Sequence, residues 1–162
     1  EGEYYVPEVL VAAKAMNATL NLIEPLLIQG DVPRRGKIVI GTVEGDLHDI
    51  GKNLVSMMWK GAGYTIVDLG VDVTPERFVE AVRQEKPDYL AISALLTSTM
   101  LHIPAVIQAL QAAGLRDDVK VLVGGAPLSQ PFANEIGADG YAADATDAVS
   151  LVRRIDLEET GT

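Results

Sequence analysis

The chain lacks cysteine and is poor in aromatic residues and in positive charge. Its 162 residues contain no Cys, one Trp and two Phe, and 13 Lys and Arg stand against 23 Asp and Glu, for a net charge of −10. Without cysteine there is no disulfide, thiolate metal site or iron–sulfur centre, which fits a reducing cytoplasm. The negative balance argues against a surface for nucleic acid or for an anionic membrane.

Long apolar runs are missing as well. No stretch approaches the ~18 apolar residues of a transmembrane helix, and the amino terminus is acidic and polar, unlike a signal peptide. We therefore expect a cytoplasmic protein with no membrane partner. The length suits one α/β domain with a small appendage.

From residue 37 onward, apolar runs typical of buried strands alternate with helical patterns. The predicted strands are 38–40, 64–69, 89–93, 120–123 and 139–142. The predicted helices that follow the later strands are 74–85, 103–113, 128–136 and 146–155, and the tail 157–162 is expected to fray. This order predicts an α/β, Rossmann-like protein with a five-stranded parallel sheet and right-handed crossovers.

Residues 1–30 have a different pattern. Apolar side chains recur there at steps of three and four, which indicates amphipathic helices that need another surface to pack on. A plain packing pair of helices is one interpretation. Residues 31–36 are polar, with two glycines and a proline in the stretch 30–36, and predict a linker to an α/β domain at 37–162.

The stretch Lys37–Asn53, KIVIGTVEGDLHDIGKN, organises the chain. A strand, a glycine-containing loop and a helix place His48 at the carboxyl end of a strand, where α/β sheets bind ligands. A neutral imidazole binds a metal through one ring nitrogen, and Asp46 or Asp49 could accept a hydrogen bond from the other. Alternatively, His48 is an ordinary loop residue and Asp49 caps the following helix.

Two later strand ends carry further candidates. Ser93 and Thr97 flank a loop whose hydroxyls could bond a ligand, although capping and turn formation would also explain them. The pair Gly124-Gly125 allows close backbone approach to a ligand. His102 is expected to be a helix-start or surface histidine, and Trp59 is expected to pack in the core.

These pieces resemble a known family. Asp46-Leu47-His48-Asp49-Ile50-Gly51 is similar to the DxHxxG motif of corrinoid-binding domains of methyltransferases and methionine synthase. Ser93–Thr99 and Gly124-Gly125-Ala126 match further family pieces in order. The resemblance implies a flavodoxin-type strand order and a corrinoid, cobalamin or a benzimidazole variant, with cobalt. It also implies that residues 1–30 are part of a helical cap.

The resemblance also implies roles for residues. His48 would be the lower axial ligand of cobalt in place of the cofactor's own base, and Asp46 and Thr99 would complete a proton relay behind it. No catalytic residue is expected beyond the cofactor. The implied cofactor-binding residues are Gly45, Asp46, Leu47, His48, Asp49, Ile50, Gly51, Ser93, Leu95, Thr97, Thr99, Gly124, Gly125, Tyr141 and Ala145.

The resemblance implies a methyl carrier. A substrate-specific methyltransferase would load it, a second methyltransferase would pass the methyl group to tetrahydrofolate or coenzyme M, and a reductive activator would be a further partner. Three alternatives stay open at this point: the cobalamin domain of a carbon-skeleton mutase, a corrinoid-sensing regulatory module, and a flavodoxin-like domain without a corrinoid. Relatives of this kind are found in anaerobic methylotrophs and O-demethylating microbes.

Overall fold

The computed structural model describes residues 35–160, together with positions 11, 15, 18, 19 and 22. Those five positions are helical, and Thr19 Oγ1 donates to the Ala15 carbonyl oxygen at 2.9 Å. The predicted cap segment 1–30 and most of the linker otherwise lie outside the described residues. The linker boundary shifts slightly, because Gly36 is already the first residue of a strand.

The described chain folds as a parallel sheet with helices on both faces. The strands are β1 Gly36–Thr42, β2 Tyr64–Asp68, β3 Tyr89–Ser93, β4 Lys120–Gly124 and β5 Gly140–Ala142. The α-helices of residues 35–160 are α1 Ile50–Gly61, α2 Pro75–Glu85, α3 Ile103–Ala112, α4 Gln130–Glu135 and α5 Ala145–Thr160, with short 3₁₀ turns at Met100–His102 and Arg116–Asp118. No helix of the described part is long and apolar enough to cross a bilayer.

The sheet order is β2-β1-β3-β4-β5, with every neighbouring pair parallel. This confirms the predicted α/β fold class and the flavodoxin-type order. The chain after β1 crosses one face and the chain after β3 crosses the other, so the two connections diverge between these adjacent strands. Such a switch point leaves a crevice at the carboxyl edge of the sheet.

Side chains alternate along each strand, and each face therefore collects its own apolar cluster. On one face, α2 and α3 cover Val39, Leu90, Ile92, Val121 and Val123. On the other, α1 and α5 cover Ile38, Ile40, Tyr89, Ala91 and Leu122. We call these the filled face and the open face, because most of the buried residues that line the cavity described below belong to the second cluster.

Capping side chains explain several element boundaries. Thr74 Oγ1 accepts from the Arg77 amide before α2, and Ser129 Oγ accepts from the Phe132 amide before α4, so α4 is shorter than the predicted helix 128–136. Asp144 Oδ1 accepts from the Thr146 and Asp147 amides at 2.8 and 2.9 Å and starts α5. Such caps satisfy amides that the helix itself leaves without partners.

The prediction of a frayed tail from Leu157 was wrong as far as Thr160, where α5 ends. The reason lies one turn earlier, at Asp156. Its carboxylate accepts hydrogen bonds from the hydroxyls of Tyr64 and Tyr89, two buried residues of the sheet, the latter at 2.5 Å. These bonds fasten the end of the helix to the amino end of β2 and β3.

Candidate functional site

The loop between β1 and α1 carries His48 at the switch point. Asp46, two residues earlier, is fully buried, whereas the His48 side chain is 51% exposed. His48 Nδ1 lies 2.7 Å from Asp46 Oδ1, and the His48 amide donates to the same oxygen at 3.1 Å. The His48 carbonyl oxygen accepts from Thr42 Oγ1 at 2.9 Å. Hydrogen bonds therefore hold both the ring and the backbone of His48.

The second Asp46 oxygen is bonded from the loop after β3. Thr99 Oγ1 donates to Asp46 Oδ2 at 2.6 Å and the Leu95 amide donates at 2.7 Å. Burial raises the pKa of Asp46, but the hydrogen bonds from Thr99, Leu95 and His48 outweigh it and hold the pKa well below its usual range. Asp46 is therefore a carboxylate at neutral pH.

An ionised carboxylate only accepts hydrogen bonds, so His48 Nδ1 carries a proton. In the neutral ring the other nitrogen, Nε2, then keeps its lone pair. Among residues 35–160 nothing donates to or accepts from Nε2. His48 is thus held in the tautomer that can bind a metal. No group of three or more His, Asp or Glu among the described residues could itself hold a metal, which makes His48 a lone candidate ligand.

A cavity of about 670 Å³ opens beside His48, between the open face of the sheet and helices α1 and α5. Its floor is apolar. Its deeper lining residues are Ile40, Val55, Trp59, Ala91, Leu122, Ala148 and Leu151. A cavity of this volume and apolar lining is typical of a site for an organic ligand or cofactor.

Most of the predicted binding residues line this cavity. They are Leu47, His48, Asp49, Ile50, Gly51, Ser93, Leu95, Gly124, Gly125 and Ala145. Gly45, Asp46 and Thr99 lie behind His48, outside the lining. Thr97 is exposed and outside the cavity, and Tyr141 packs against the cluster of the filled face.

Gly125 shows how closely the loops after β3 and β4 approach one another. A Cβ atom at Gly125 would lie 1.8 Å from the Ala94 carbonyl oxygen, and its φ of +137° disfavours other residues. Gly51 is the opposite case, because a Cβ atom there would meet no atom within 4 Å. Gly51 is exposed and is one of the residues that line the cavity.

Sequence reasoning missed several lining residues. The prediction that Trp59 packs in the core is confirmed, since it is 3% exposed and donates from Nε1 to the Ala148 carbonyl oxygen at 3.0 Å, but it also lines the cavity, which was not predicted. Lys52 was not singled out. Its buried Nζ lies 2.5 Å from Asp68 Oδ2 and 2.8 Å from Asn53 Oδ1. A lysine one turn after His48 was the available signal for it.

Asp49 precedes α1, but its side chain makes no capping hydrogen bond. Its Oδ2 accepts instead from Asn53 Nδ2 at 3.1 Å, which continues the polar chain from Asp68 through Lys52 and Asn53. This chain ties the first turn of α1 to the end of β2. The mouth of the cavity is therefore polar on one side while its floor is apolar.

Comparison with known proteins decides the family. The model of the B12 binding domain matches residues 36–150. The chain belongs to the B12-binding domain family. A corrinoid protein of Desulfitobacterium hafniense (strain Y51) is 47% identical over 158 residues, which is 96% of this chain and 73% of that protein. The cofactor of this chain is a corrinoid, and the alternative of a domain without one is excluded.

Similar solved structures support the same family assignment. The monomethylamine corrinoid protein of Methanosarcina barkeri superposes with a TM-score of 0.85 at 37% identity, covering 94% of this chain and 73% of that one. The methanol:cobalamin methyltransferase complex of Methanosarcina barkeri contains a chain that matches with a TM-score of 0.71 at 34% identity, over 94% of this chain and 58% of that one. The recognised fold and cofactor class are thus confirmed.

Proposed function

We propose that this chain carries a methyl group on its corrinoid between two methyltransferases. A bound corrinoid supplies a cobalt centre that takes up a methyl group from a donor and releases it to an acceptor. The observation that supports this most is His48, whose Nε2 has no partner among residues 35–160 and whose Nδ1 is held by a buried carboxylate. The chain itself binds and orients the cofactor.

His48 is the proposed lower axial ligand, in place of the cofactor's own base. The Asp46 carboxylate accepts from Nδ1 and so raises the basicity of Nε2, as carboxylates behind metal-bound histidines do. Thr99 and the Leu95 amide keep Asp46 ionised and in position. Together Asp46 and Thr99 form the proposed proton relay behind the metal.

The cavity is the proposed site of the displaced base and its nucleotide tail. Its floor offers apolar contacts for a flat ring, and the backbone at Gly124 and Gly125 is bare of side chains where the tail would pass. Ser93 and Leu95 line the mouth, and Ala145 lies at the start of α5. Thr97 and Tyr141 lie outside the cavity lining, so a cofactor contact at these two positions stays a prediction from the family resemblance.

Proposed partners follow from the relatives. One relative takes part in a methanol:cobalamin methyltransferase complex and another is a monomethylamine corrinoid protein, so similar carriers serve different methyl donors. We therefore assign recognition of the donor to a partner methyltransferase. A second methyltransferase would deliver the methyl group to tetrahydrofolate or coenzyme M, and a reductive activator would restore the reduced cofactor.

Electron paramagnetic resonance of the cobalt(II) form tests the ligand assignment. Protein labelled with nitrogen-15 histidine and loaded with cobalamin should show altered nitrogen splitting. His48→Ala should abolish that change, and added imidazole should restore a nitrogen ligand. Splitting that is unchanged by the label would show that the cofactor's own base remains bound, and the assignment of His48 would be wrong.

The carrier role needs a separate assay. The loaded chain should accept a methyl group from a methylamine or methanol donor only when a matching methyltransferase is added, and should release it to a second methyltransferase. The methyl-loaded form is followed by its visible spectrum. Binding of the corrinoid without transfer to or from any such partner would leave a binding module and contradict the carrier role.

A further inference from the structure

One peptide group in the His48 loop is held from both sides. Val43–Asp46 forms a tight turn in which the Asp46 amide donates to the Val43 carbonyl oxygen at 3.1 Å. Gly45, the third residue of the turn, has a φ of +79°, which is the value for that position in a type II turn. The peptide between Glu44 and Gly45 is therefore the central peptide of the turn.

Both polar atoms of this central peptide are bonded to side chains from other parts of the chain. The Glu44 carbonyl oxygen lies 2.7 Å from His102 Nδ1, in the 3₁₀ turn before α3. The Gly45 amide donates to Asp72 Oδ1 at 2.7 Å, in the segment between β2 and α2. Because a carbonyl oxygen only accepts, His102 Nδ1 carries a proton in this contact.

Orientation of the central peptide is what distinguishes type I from type II turns, and a flip of that peptide interconverts them. Such a flip here would turn the carbonyl away from His102 and the amide away from Asp72, so it would break both hydrogen bonds. Losing both bonds would also release the turn that leads into Asp46 from the segments that carry Asp72 and His102. The two side chains therefore stabilise one of two turn conformations.

Asp72 is linked to Asp46 a second time. Its amide donates to the Asp46 carbonyl oxygen at 3.0 Å, so Asp72 contacts both of the last two residues of the turn. Asp72 also has a φ of +54°, a left-handed conformation that is uncommon for a residue other than glycine. Local strain of this kind persists where surrounding contacts over-determine it, often beside functional sites.

We propose that Asp72 and His102 form a peptide clamp that positions His48 for the metal. Neither residue lines the cavity, and neither touches His48 directly. The clamp acts by holding the Glu44–Gly45 peptide, which sets Asp46, whose carboxylate in turn sets the His48 ring. Both are positioning residues, and the inference depends on the proposed role of His48 as the axial ligand.

Matched variants separate the clamp from general folding. His102→Asn keeps an N–H donor at the place of Nδ1, whereas His102→Leu removes it at similar volume. Asp72→Asn keeps an acceptor oxygen and tolerates the left-handed conformation, whereas Asp72→Gly suits that conformation best and removes the acceptor. The glycine variant thus relieves strain and abolishes the clamp in the same change.

The first readout needs no corrinoid. Hydrogen exchange of the Gly45 amide is measured by NMR in the corrinoid-free full chain. Exchange should be about tenfold or more faster in Asp72→Gly, the factor that corresponds to the loss of a typical hydrogen bond. It should also be faster in His102→Leu and close to wild type in the two asparagine variants. Circular dichroism confirms that each variant is folded.

The second readout uses the cobalamin-loaded chain. The share of cobalt(II) that carries the histidine nitrogen is measured by electron paramagnetic resonance. It should fall at least severalfold in His102→Leu and Asp72→Gly and be retained in His102→Asn and Asp72→Asn. A residue with a purely structural role would lower the amount of folded protein without changing this share.

The outcomes are distinguishable. Faster Gly45 exchange with an unchanged share of histidine-bound cobalt would show that the clamp exists but does not position His48, which overturns the proposal. A lower share with unchanged exchange would overturn the route through the peptide, and equal loss in His102→Asn and His102→Leu would overturn the hydrogen bond as the cause. If the wild type itself shows no histidine on cobalt, the proposed axial role of His48 fails, while the exchange data still report on the clamp.

Discussion

The two faces of the sheet are built from the same five strands but are packed differently. The filled face collects aliphatic side chains and Phe78 under α2 and α3. The open face has a smaller cluster and leaves a cavity of about 670 Å³ between α1, α5 and the sheet. One face therefore contributes mainly to stability, and the other reserves space for a ligand.

On the open face, hydrogen bonds join helices to each other or to the sheet at two places, one beside the cavity and one at the opposite end of the strands. Near the cavity, Trp59 Nε1 joins α1 to the Ala148 carbonyl in α5. At the opposite end, Tyr64 and Tyr89 donate to Asp156. The filled face has few comparable polar contacts between buried side chains of its cluster. Space for a cofactor is thus obtained by replacing apolar contacts with directional ones at the edges of the cavity.

The largest expected effect is a difference between two leucines on neighbouring strands. Leu90 faces the filled side and is 0% exposed, whereas Leu122 faces the cavity and is 3% exposed. Leu90→Ala should lower the free energy of unfolding of the corrinoid-free chain by about 4 kcal/mol, and Leu122→Ala by about 2 kcal/mol, because Leu122 already borders a cavity and Leu90 does not. Urea denaturation measures both. Equal losses would show that the open face is as well packed as the filled one.

Asp156→Ala should cost about 2–3 kcal/mol of unfolding free energy, because it leaves two buried tyrosine hydroxyls without their shared acceptor. Glu158→Ala, on the exposed side of the same helix, is the matched control and should change stability by no more than about 0.5 kcal/mol. Urea denaturation of both variants gives the comparison. A loss of stability at Asp156 similar to that at Glu158 would show that the hydrogen bonds from the two tyrosines do not stabilise the open face.

Gly51→Ala should separate binding from folding. The added Cβ meets no atom of the protein within 4 Å, and alanine favours helix over glycine, so the corrinoid-free chain should be as stable as wild type or up to about 1 kcal/mol more stable. Because Gly51 lines the cavity, we expect the added methyl group to take up space that the cofactor needs, so cobalamin affinity should fall about tenfold, or about 1.4 kcal/mol. Titration followed by visible absorption measures the affinity. Unchanged affinity would show that the ligand does not fill the space at Gly51.

The smallest effect concerns alkaline pH. Burial raises the pKa of Tyr64, and the hydrogen bond and negative charge of Asp156 raise it further. The unfolded chain loses this proton near pH 10 and the folded chain retains it, so the stabilisation is complete below pH 10 and is lost as the pH rises above it. Wild type should therefore lose about 1 kcal/mol more than Tyr64→Phe between pH 10 and 11. Parallel slopes in urea denaturation would contradict a raised pKa at Tyr64.

The sequence alone determined the features that depend on neighbouring residues. Apolar, β-branched runs and helix-start signals predicted the strand and helix order, since such signals act within one element. The order of elements then placed the His48 loop at a strand end. The family resemblance, carried by Asp46–Gly51, predicted the corrinoid, and the comparisons confirm that cofactor class. Most of the cavity-lining residues near that loop were also named in advance.

Only the tertiary structure decided contacts between distant parts of the chain. The cavity depth depends on the separation of α1 and α5 from the sheet, so the place of Trp59, Ala91 and Leu122 in its wall has no local sequence signal. The sequence predicts a helix-start or surface histidine at position 102, and His102 does precede α3 and is exposed, but its Nδ1 contacts a carbonyl oxygen 58 positions away. Such pairings arise from how elements pack, because a side chain's partner is set by where the sheet brings two loops together.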